Sequence, residues 1–290
     1  MTGAVTDSIA LAAHAKVNLF LRVLARESDG YHGIETLFCR LELADSLTAR
    51  RTDTSGVTLE VDGADVGPVE QNLAVRAARA VQGAVRQPAG VHLTLTKRIP
   101  AGAGLGGGSA DAAAALAAVN QLHHNAVPAA ELLHHAARLG ADVPFCLSGA
   151  SLALAWGHGE RMLTLPPLPS APVLLLTPPV PVSTVEAYRW LDEARTAPVQ
   201  RGSLRLEASA LAGWSDIARM AGNDFESPVF GRLTPVRDAF EALARTRPLL
   251  CRMTGSGSTI FAVYRNERDR DDASMMLGRK HGVTTPTRTV

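Results

Sequence analysis

In the stretch VHLTLTK, residues 91–97, Val91, Leu93 and Leu95 alternate with His92, Thr94 and Thr96. A two-residue period of this kind predicts a strand with one apolar and one wet face. Three earlier runs rich in branched and aromatic residues, KVNLFLRVL (16–24), TLFCRLEL (36–43) and VTLEV (57–61), also predict strands. Between them and 91–97, NLAVRAARAVQGAV (72–85) has helical spacing, with Asn72 placed as an N-cap. SADAAAALAAVNQL (109–122) and PAAELLHHAARLG (128–140) predict two further helices, and SLALAWGHGERMLTL (151–165) a hairpin turning at Gly157 and Gly159. Four prolines in LPPLPSAP (165–172) exclude a continuous helix or central strand and set a division into residues 1–165 and 166–290. Beyond it come a strand VLLLT, a helix TVEAYRWLDEAR, further helical pieces, strands LLCRM and TIFAVY around TGSGS, and a charged helix before the tail. Both parts read as α+β.

Composition narrows the function classes. The chain has 290 residues, 46% of them hydrophobic, which is enough for a sizeable core. Its 29 Lys and Arg balance 28 Asp and Glu, with no basic block of the kind that grips a phosphodiester backbone, so nucleic acid is not an expected partner. Cys39, Cys146 and Cys251 are far apart and suggest neither a disulfide framework nor a zinc site. The paired histidines His123–His124 and His134–His135 lack metal-ligand spacing and read as helix-surface residues. With no signal-like N-terminus and no long apolar span, the expectation is a cytoplasmic protein without membrane contact.

The stretch PAGAGLGGGSADAA carries the chemistry. Gly102, Gly104 and Gly107 satisfy G-x-G-x-x-G between a strand and a helix. The preceding strand is wet on one face, however, and no second strand ends in an acid about 20 residues on, so a dinucleotide fold is not supported. A Walker A loop fails because Gly108 stands where lysine is required. What remains is an anion cradle in which glycine N–H groups converge on phosphate oxygens at the positive end of a helix starting near Ser109. Ser109 is placed either to cap that helix or to reach a phosphate or magnesium. Asp111 reads as a first-turn acid serving the helix N-terminus. The alternative is a turn capped by Ser109.

Strand, PAGAGLGGGSADAA and helix together resemble the phosphate loop of the GHMP kinases. AHAKVNLFLRV, ESDGYHGIETLF, RLGADVPFCLSG and CRMTGSGSTIFAVY resemble further motifs of that family in the same order, with His14 where proline is common. The resemblance is to the branch whose acceptor carries a cytidine diphosphate group. It implies a two-domain fold, an N-terminal ribosomal-protein-S5-domain-2-like domain and a C-terminal ferredoxin-like α/β sandwich, with the active site in the cleft between them. It implies ATP as co-substrate, with Mg²⁺, and phosphorylation of the 2-hydroxyl of a cytidine-diphospho-methylerythritol on the route to isoprenoids. Lys16 and Asp142 are then catalytic. Pro100, Ala101, Gly102, Ala103, Gly104, Leu105, Gly106, Gly107, Gly108, Ser109, Ala110 and Asn72 bind ATP. Asn18, Tyr31, His32, Tyr188, Gly255, Ser256 and Gly257 bind the acceptor, with Tyr31 offering a ring to a base and His32 able to donate and accept on a pyrimidine edge. The metal ligand stays open beyond Ser109, and the expected state is a monomer or weak homodimer. TGSGS by itself reads as a plain hairpin turn, and homoserine-type, mevalonate-type and non-catalytic members stay open as alternatives.

Overall fold

The computed structural model describes residues 7–26, 30–64, 66–195 and 211–290. The chain forms two compact units, each assembled from separated stretches. Strand β1 (Ser8–Arg26) and strand β2 (His32–Thr52) are both long enough to contribute residues to each unit.

The first unit holds residues 1–15, 43–101 and 106–150. Its sheet pairs the distal half of β2 antiparallel with β4 (Gly90–Thr96), and β4 parallel with β3 (Val57–Asp62). The expected alternation in β4 holds: Val91, Leu93 and Leu95 are buried, while His92, Thr94 and Thr96 are half-exposed. A 3₁₀ turn (Val69–Gln71) leads into α1 (Leu73–Ala84), followed by α2 (Gly107–Leu122), α3 (Ala129–Leu139) and α4 (Val143–Ser148). The core joins β4 to Ala74, Ala77, Ala78 and Val81 of α1 and to nearly every alanine of α2. Small side chains let α2 bury most of its circumference, so its alanine content reflects close packing as well as helix propensity. Its start differs from expectation: α2 begins at Gly107 and is capped by Gly106 at φ +70°, so Ser109 lies inside the first turn and is not the cap. His123 is also not a surface residue. It is 7% exposed at the C-cap of α2, and burial, with Arg51 and His124 adding to it, holds its pKa below the usual value.

The second unit holds residues 16–42, 102–105 and 151–290. The proximal half of β2 pairs antiparallel with β5 (Leu152–Gly157), which forms the expected hairpin with β6 (Arg161–Leu165), and β1 pairs with the short β8 (Gly222–Asn223). A separate antiparallel sheet runs in the order β11, β7, β10, β9, from β7 (Pro172–Thr177), β9 (Leu250–Met253), β10 (Ile260–Val263) and β11 (Val283–Arg288). Val173, Leu174, Leu175 and Leu176 are all 0% exposed, so β7 is covered on both faces. The helices are α5 (Thr184–Ala194), α6 (Trp214–Met220), α7 (Glu226–Arg232), α8 (Thr234–Ala244) and α9 (Glu267–Leu277).

Two expectations change here. The compact units do not divide at residue 165, because β5 pairs with residues 34–39 and carries the hairpin into the second unit. The tail is also a strand, β11, paired with β7 from Val283↔Thr177 to Arg288↔Pro172. Part of the further helical sequence, residues 196–210, lies outside the described residues.

Candidate active site

In the first unit, the loop rises from a buried charge cluster. Asp45 of β2, 1% exposed, accepts the backbone N–H groups of Arg98 and Ile99 and the ammonium of Lys97. Lys97 Nζ also donates to Asp111 Oδ2 at 2.7 Å. This single ammonium ties β2, the exit of β4 and the second turn of α2 together. Asp111 is thus not a first-turn acid. Because α2 starts two residues early, Asp111 turns inward, 3% exposed, and its Oδ1 has no hydrogen-bond partner among the described residues. Burial raises its carboxyl to about 7, with Asp45 adding to the rise and Lys97 opposing it. Lys97 is raised in turn, since Asp111 and Asp45 outweigh its own burial. Two carboxylates share one cation, and Asp45, with three donors, is the better-solvated of them.

This sets a sign for the pH dependence. A folded-state carboxyl raised above its unfolded value keeps a proton that the unfolded chain releases near pH 4, so its contribution to stability is lost as pH rises through about 7. Asp111→Asn is expected to flatten the decline in melting temperature between about pH 4 and 7, and the ¹³C shift of the parent carboxyl to titrate near neutrality. A carboxyl that titrates near 4 would contradict this assignment.

Above the cluster, Ala110 N–H is the first to bond back along α2, to Gly106 O at 2.9 Å. The N–H groups of Gly107, Gly108 and Ser109 therefore have no acceptor within the helix, and no acid occupies the first turn. That is the arrangement an anion needs. A Cβ on Gly107 would stand 3.0 Å from Ile99 Cγ2. Asn72 caps α1, its Oδ1 accepting Ala74 N–H at 2.9 Å, which leaves its amide nitrogen for other contacts. Asp142, half-buried, occupies the N-cap position of α4 in helical geometry and makes no side-chain cap bond.

In the second unit, Lys16 and Asn18 project from the same face of β1, as residues two apart must. Both are 3% exposed. Lys16 Nζ donates to Asn18 Oδ1 at 2.9 Å and to Gly104 O at 3.2 Å. Asn18 Oδ1 also accepts Gly255 N–H at 3.0 Å and the Thr254 hydroxyl at 3.2 Å, while its Nδ2 donates to Thr36 Oγ1 at 2.8 Å. Three donors around one oxygen and an acceptor at the nitrogen require a carboxamide of this length. Loop residues 102–105 lie along this network: Lys16 N donates to Leu105 O at 3.0 Å and Thr259 N to Ala103 O at 3.3 Å.

TGSGS is more than a tight hairpin turn. The β9–β10 connection spans residues 254–259, closed by Thr254 N–H to Thr259 O at 3.0 Å. Asn223 Nδ2 holds it from behind through Met253 O and Gly255 O, both at 2.8 Å, and Ser256 Oγ meets Thr184 Oγ1 at 3.0 Å.

A third group lies at the start of β2, after Glu27, Ser28 and Asp29, which lie outside the described residues. Tyr31 is 67% exposed, with its ring 5.4 Å from that of His158. His32 is 9% exposed, and its Nε2 lies 2.8 Å from Asp192 Oδ1 of α5. Tyr188 stacks on His32 at 5.0 Å and 21°, and the Phe225 ring meets Tyr188 edge-on.

The fold therefore gathers Lys16, Asn18, Gly104 and Gly255 in one network, and His32 with Tyr188 in another. Asn72, Asp142 and Ser109 belong to the first unit. Thr36, Thr254, Asn223, Asp192, Lys97 and Asp45 were not singled out from sequence. Thr254 sits inside a quoted glycine motif that pointed to it; the others have no local signal.

Comparison with known proteins follows the same lines. The model of the GHMP kinases N terminal domain matches residues 72–150 and that of the GHMP kinases C terminal domain residues 206–283. The 4-diphosphocytidyl-2-C-methyl-D-erythritol kinase of Pelotomaculum thermopropionicum is 40% identical over 88% of this chain and 88% of its own. That of Parvibaculum lavamentivorans is 38% identical over 97% of this chain and 96% of its own. The chain belongs to the 4-diphosphocytidyl-2-C-methyl-D-erythritol kinases, a branch of the GHMP kinases. A crystal structure of a 4-(cytidine 5'-diphospho)-2C-methyl-D-erythritol kinase superposes with a TM-score of 0.81 at 35% identity, covering 97% of this chain and 99% of that one. As a GHMP kinase the chain takes phosphate from ATP and passes it to a small molecule. Its α+β, two-domain GHMP kinase fold is the expected one. Among the described residues no helix is long and apolar enough to cross a membrane.

Proposed function

We propose that this kinase transfers the γ-phosphate of ATP to the 2-hydroxyl of 4-diphosphocytidyl-2-C-methyl-D-erythritol, giving the 2-phosphate and ADP in the methylerythritol phosphate route to isoprenoid precursors. The observation that carries the reading is Lys16, buried on β1 and bonded to the carbonyl of Gly104 in the glycine loop, in a chain 40% identical to a kinase of that name.

Phosphoryl transfer demands positioned reactants and charge stabilisation more than covalent help from the protein. The free N–H groups at the start of α2 serve the nucleotide's phosphates, and Lys16 offsets charge on the group in transit. Asp142 orients the acceptor O–H and takes its proton as the oxygen bonds to phosphorus and the bond to the ADP oxygen breaks. Tyr31 and His32 serve the cytosine, one by its exposed face and the other by its edge. Asn18, Gly255 and Ser256 shape the acceptor side through their network. Magnesium, held mainly by phosphates and water, needs only one or two protein oxygens, and the Ser109 hydroxyl in the first turn of α2 fits that need. When bound, it neutralises phosphate charge. The reading extends to a cytoplasmic monomer or weak homodimer without a nucleic-acid partner.

The test is incubation with ATP, Mg²⁺ and a panel of acceptors followed by ³¹P NMR. A new phosphomonoester on the cytidine compound alone is the expected result. Phosphorylation of homoserine or mevalonate, with the cytidine compound ignored, would keep the family and overturn the substrate.

A further inference from the structure

We infer that Asp192 is a positioning residue for base recognition, holding His32 in the one tautomer and orientation that favour cytosine over uracil; this rests on the proposed acceptor. A carboxylate only accepts, so the 2.8 Å contact between Asp192 Oδ1 and His32 Nε2 puts the hydrogen on Nε2. In the neutral form of the ring this leaves a bare lone pair at Nδ1. Among the described residues His32 has no other hydrogen bond from its ring. The Tyr188 stack fixes the plane of the ring, and Asp192 fixes its rotation within that plane. His32 is 9% exposed, so few other orientations are open to it.

An acceptor at Nδ1 discriminates between the pyrimidines. Cytosine offers an amino group at C4, which donates, whereas uracil offers a carbonyl oxygen there. The first completes a hydrogen bond with Nδ1; the second sets two lone pairs against each other and leaves both without a partner. Without Asp192 the ring can carry its hydrogen on either nitrogen, and the preference fades. Asp192 lies 160 residues from His32 in the chain and acts through it.

Three measurements test this. In ¹⁵N imidazole NMR, His32 of the parent should show the Nε2–H tautomer, and the Asp192→Ala variant a mixture. In kinetics, Asp192→Ala should raise KM for the cytidine acceptor about tenfold and lower the preference for it over its uridine counterpart about tenfold, as expected for one lost hydrogen bond near 1.4 kcal/mol. KM for ATP and kcat at saturating acceptor should stay near the parent values. Asp192→Asn, whose amide oxygen still accepts from Nε2–H, should recover most of both losses. An Nδ1–H tautomer in the parent, an Ala variant with unaltered preference, an Asn variant no better than Ala, or a loss spread equally over ATP and kcat would each overturn the inference. An Asp192→Ala variant that uses the cytidine acceptor as the parent does removes this inference alone, whereas a parent that ignores that acceptor removes the proposed function and this inference with it.

Discussion

Asp142→Asn is expected to lower kcat about 10²- to 10⁴-fold, the range for removing a positioned acid or base, with a much smaller change in KM for either substrate. The substitution keeps size and shape and removes charge and basicity. The start of α4 does not depend on a cap from this side chain: Asp142 stands at the N-cap position but makes no side-chain cap bond, and Pro144 lies in the first turn of α4. Helix α4 therefore keeps its start, and circular dichroism of the variant should show the helical content of the parent. Single-turnover kinetics separate the chemical step from product release. A near-normal single-turnover rate in the folded variant would make Asp142 a structural residue and move the base elsewhere.

Gly104→Ala is expected to disable ATP use and to destabilise the chain, whereas Gly102→Ala two positions earlier should be mild. At both positions φ is positive, +79° and +65°, which costs an alanine about 1 kcal/mol. The surroundings differ. A Cβ on Gly104 would stand 2.3 Å from Thr254 O and 3.1 Å from Gly257 O, both backbone atoms, while one on Gly102 meets nothing within 4 Å. Relief at Gly104 means moving the loop by about an ångström, and its carbonyl is an acceptor for Lys16. The cost is on the order of 3 kcal/mol, or roughly 6–12 °C in melting temperature, against about 2–4 °C for Gly102. KM for ATP should rise at least about tenfold in the Gly104 variant, since misplacement by an ångström undoes positioning. Calorimetric unfolding and ATP titration of the two variants decide it. Equal behaviour would mean that the close approach at Gly104 is unimportant.

Much of this was legible in sequence because it is local. The period in 91–97, the turn glycines at 157 and 159, and the cap at Asn72 depend on neighbours a few residues away. Asp111 was misread for the same reason: its spacing from Ser109 suggested a first turn, but the start of α2 is set by Gly106 in a left-handed conformation, and Lys97 then draws the carboxylate inward. Asn223 and Asp192 could not be found at all. Their significance lies in partners 32 and 160 residues away, and no local pattern records such a pairing. The compact units were hidden likewise, since β1 and β2 read as short runs whose full length depends on strands supplied later.

The amide of Asn18 also has a consequence for synthesis on the ribosome. Its oxygen receives donors from Thr254 and Gly255, 236 and 237 residues further along the chain. At 5–20 residues per second, roughly 12–48 s pass between the emergence of β1 and that of its partners. Throughout that interval a nascent chain holds the Asn18 amide with its Thr254 and Gly255 donors still unmade, and Ala103 O without the Thr259 N–H, so loop residues 102–105 cannot take their final form until the β9–β10 connection emerges. Any fragment ending before Thr254 would be trapped in the same immature state, with polar groups destined for the interior left to water or to chaperones.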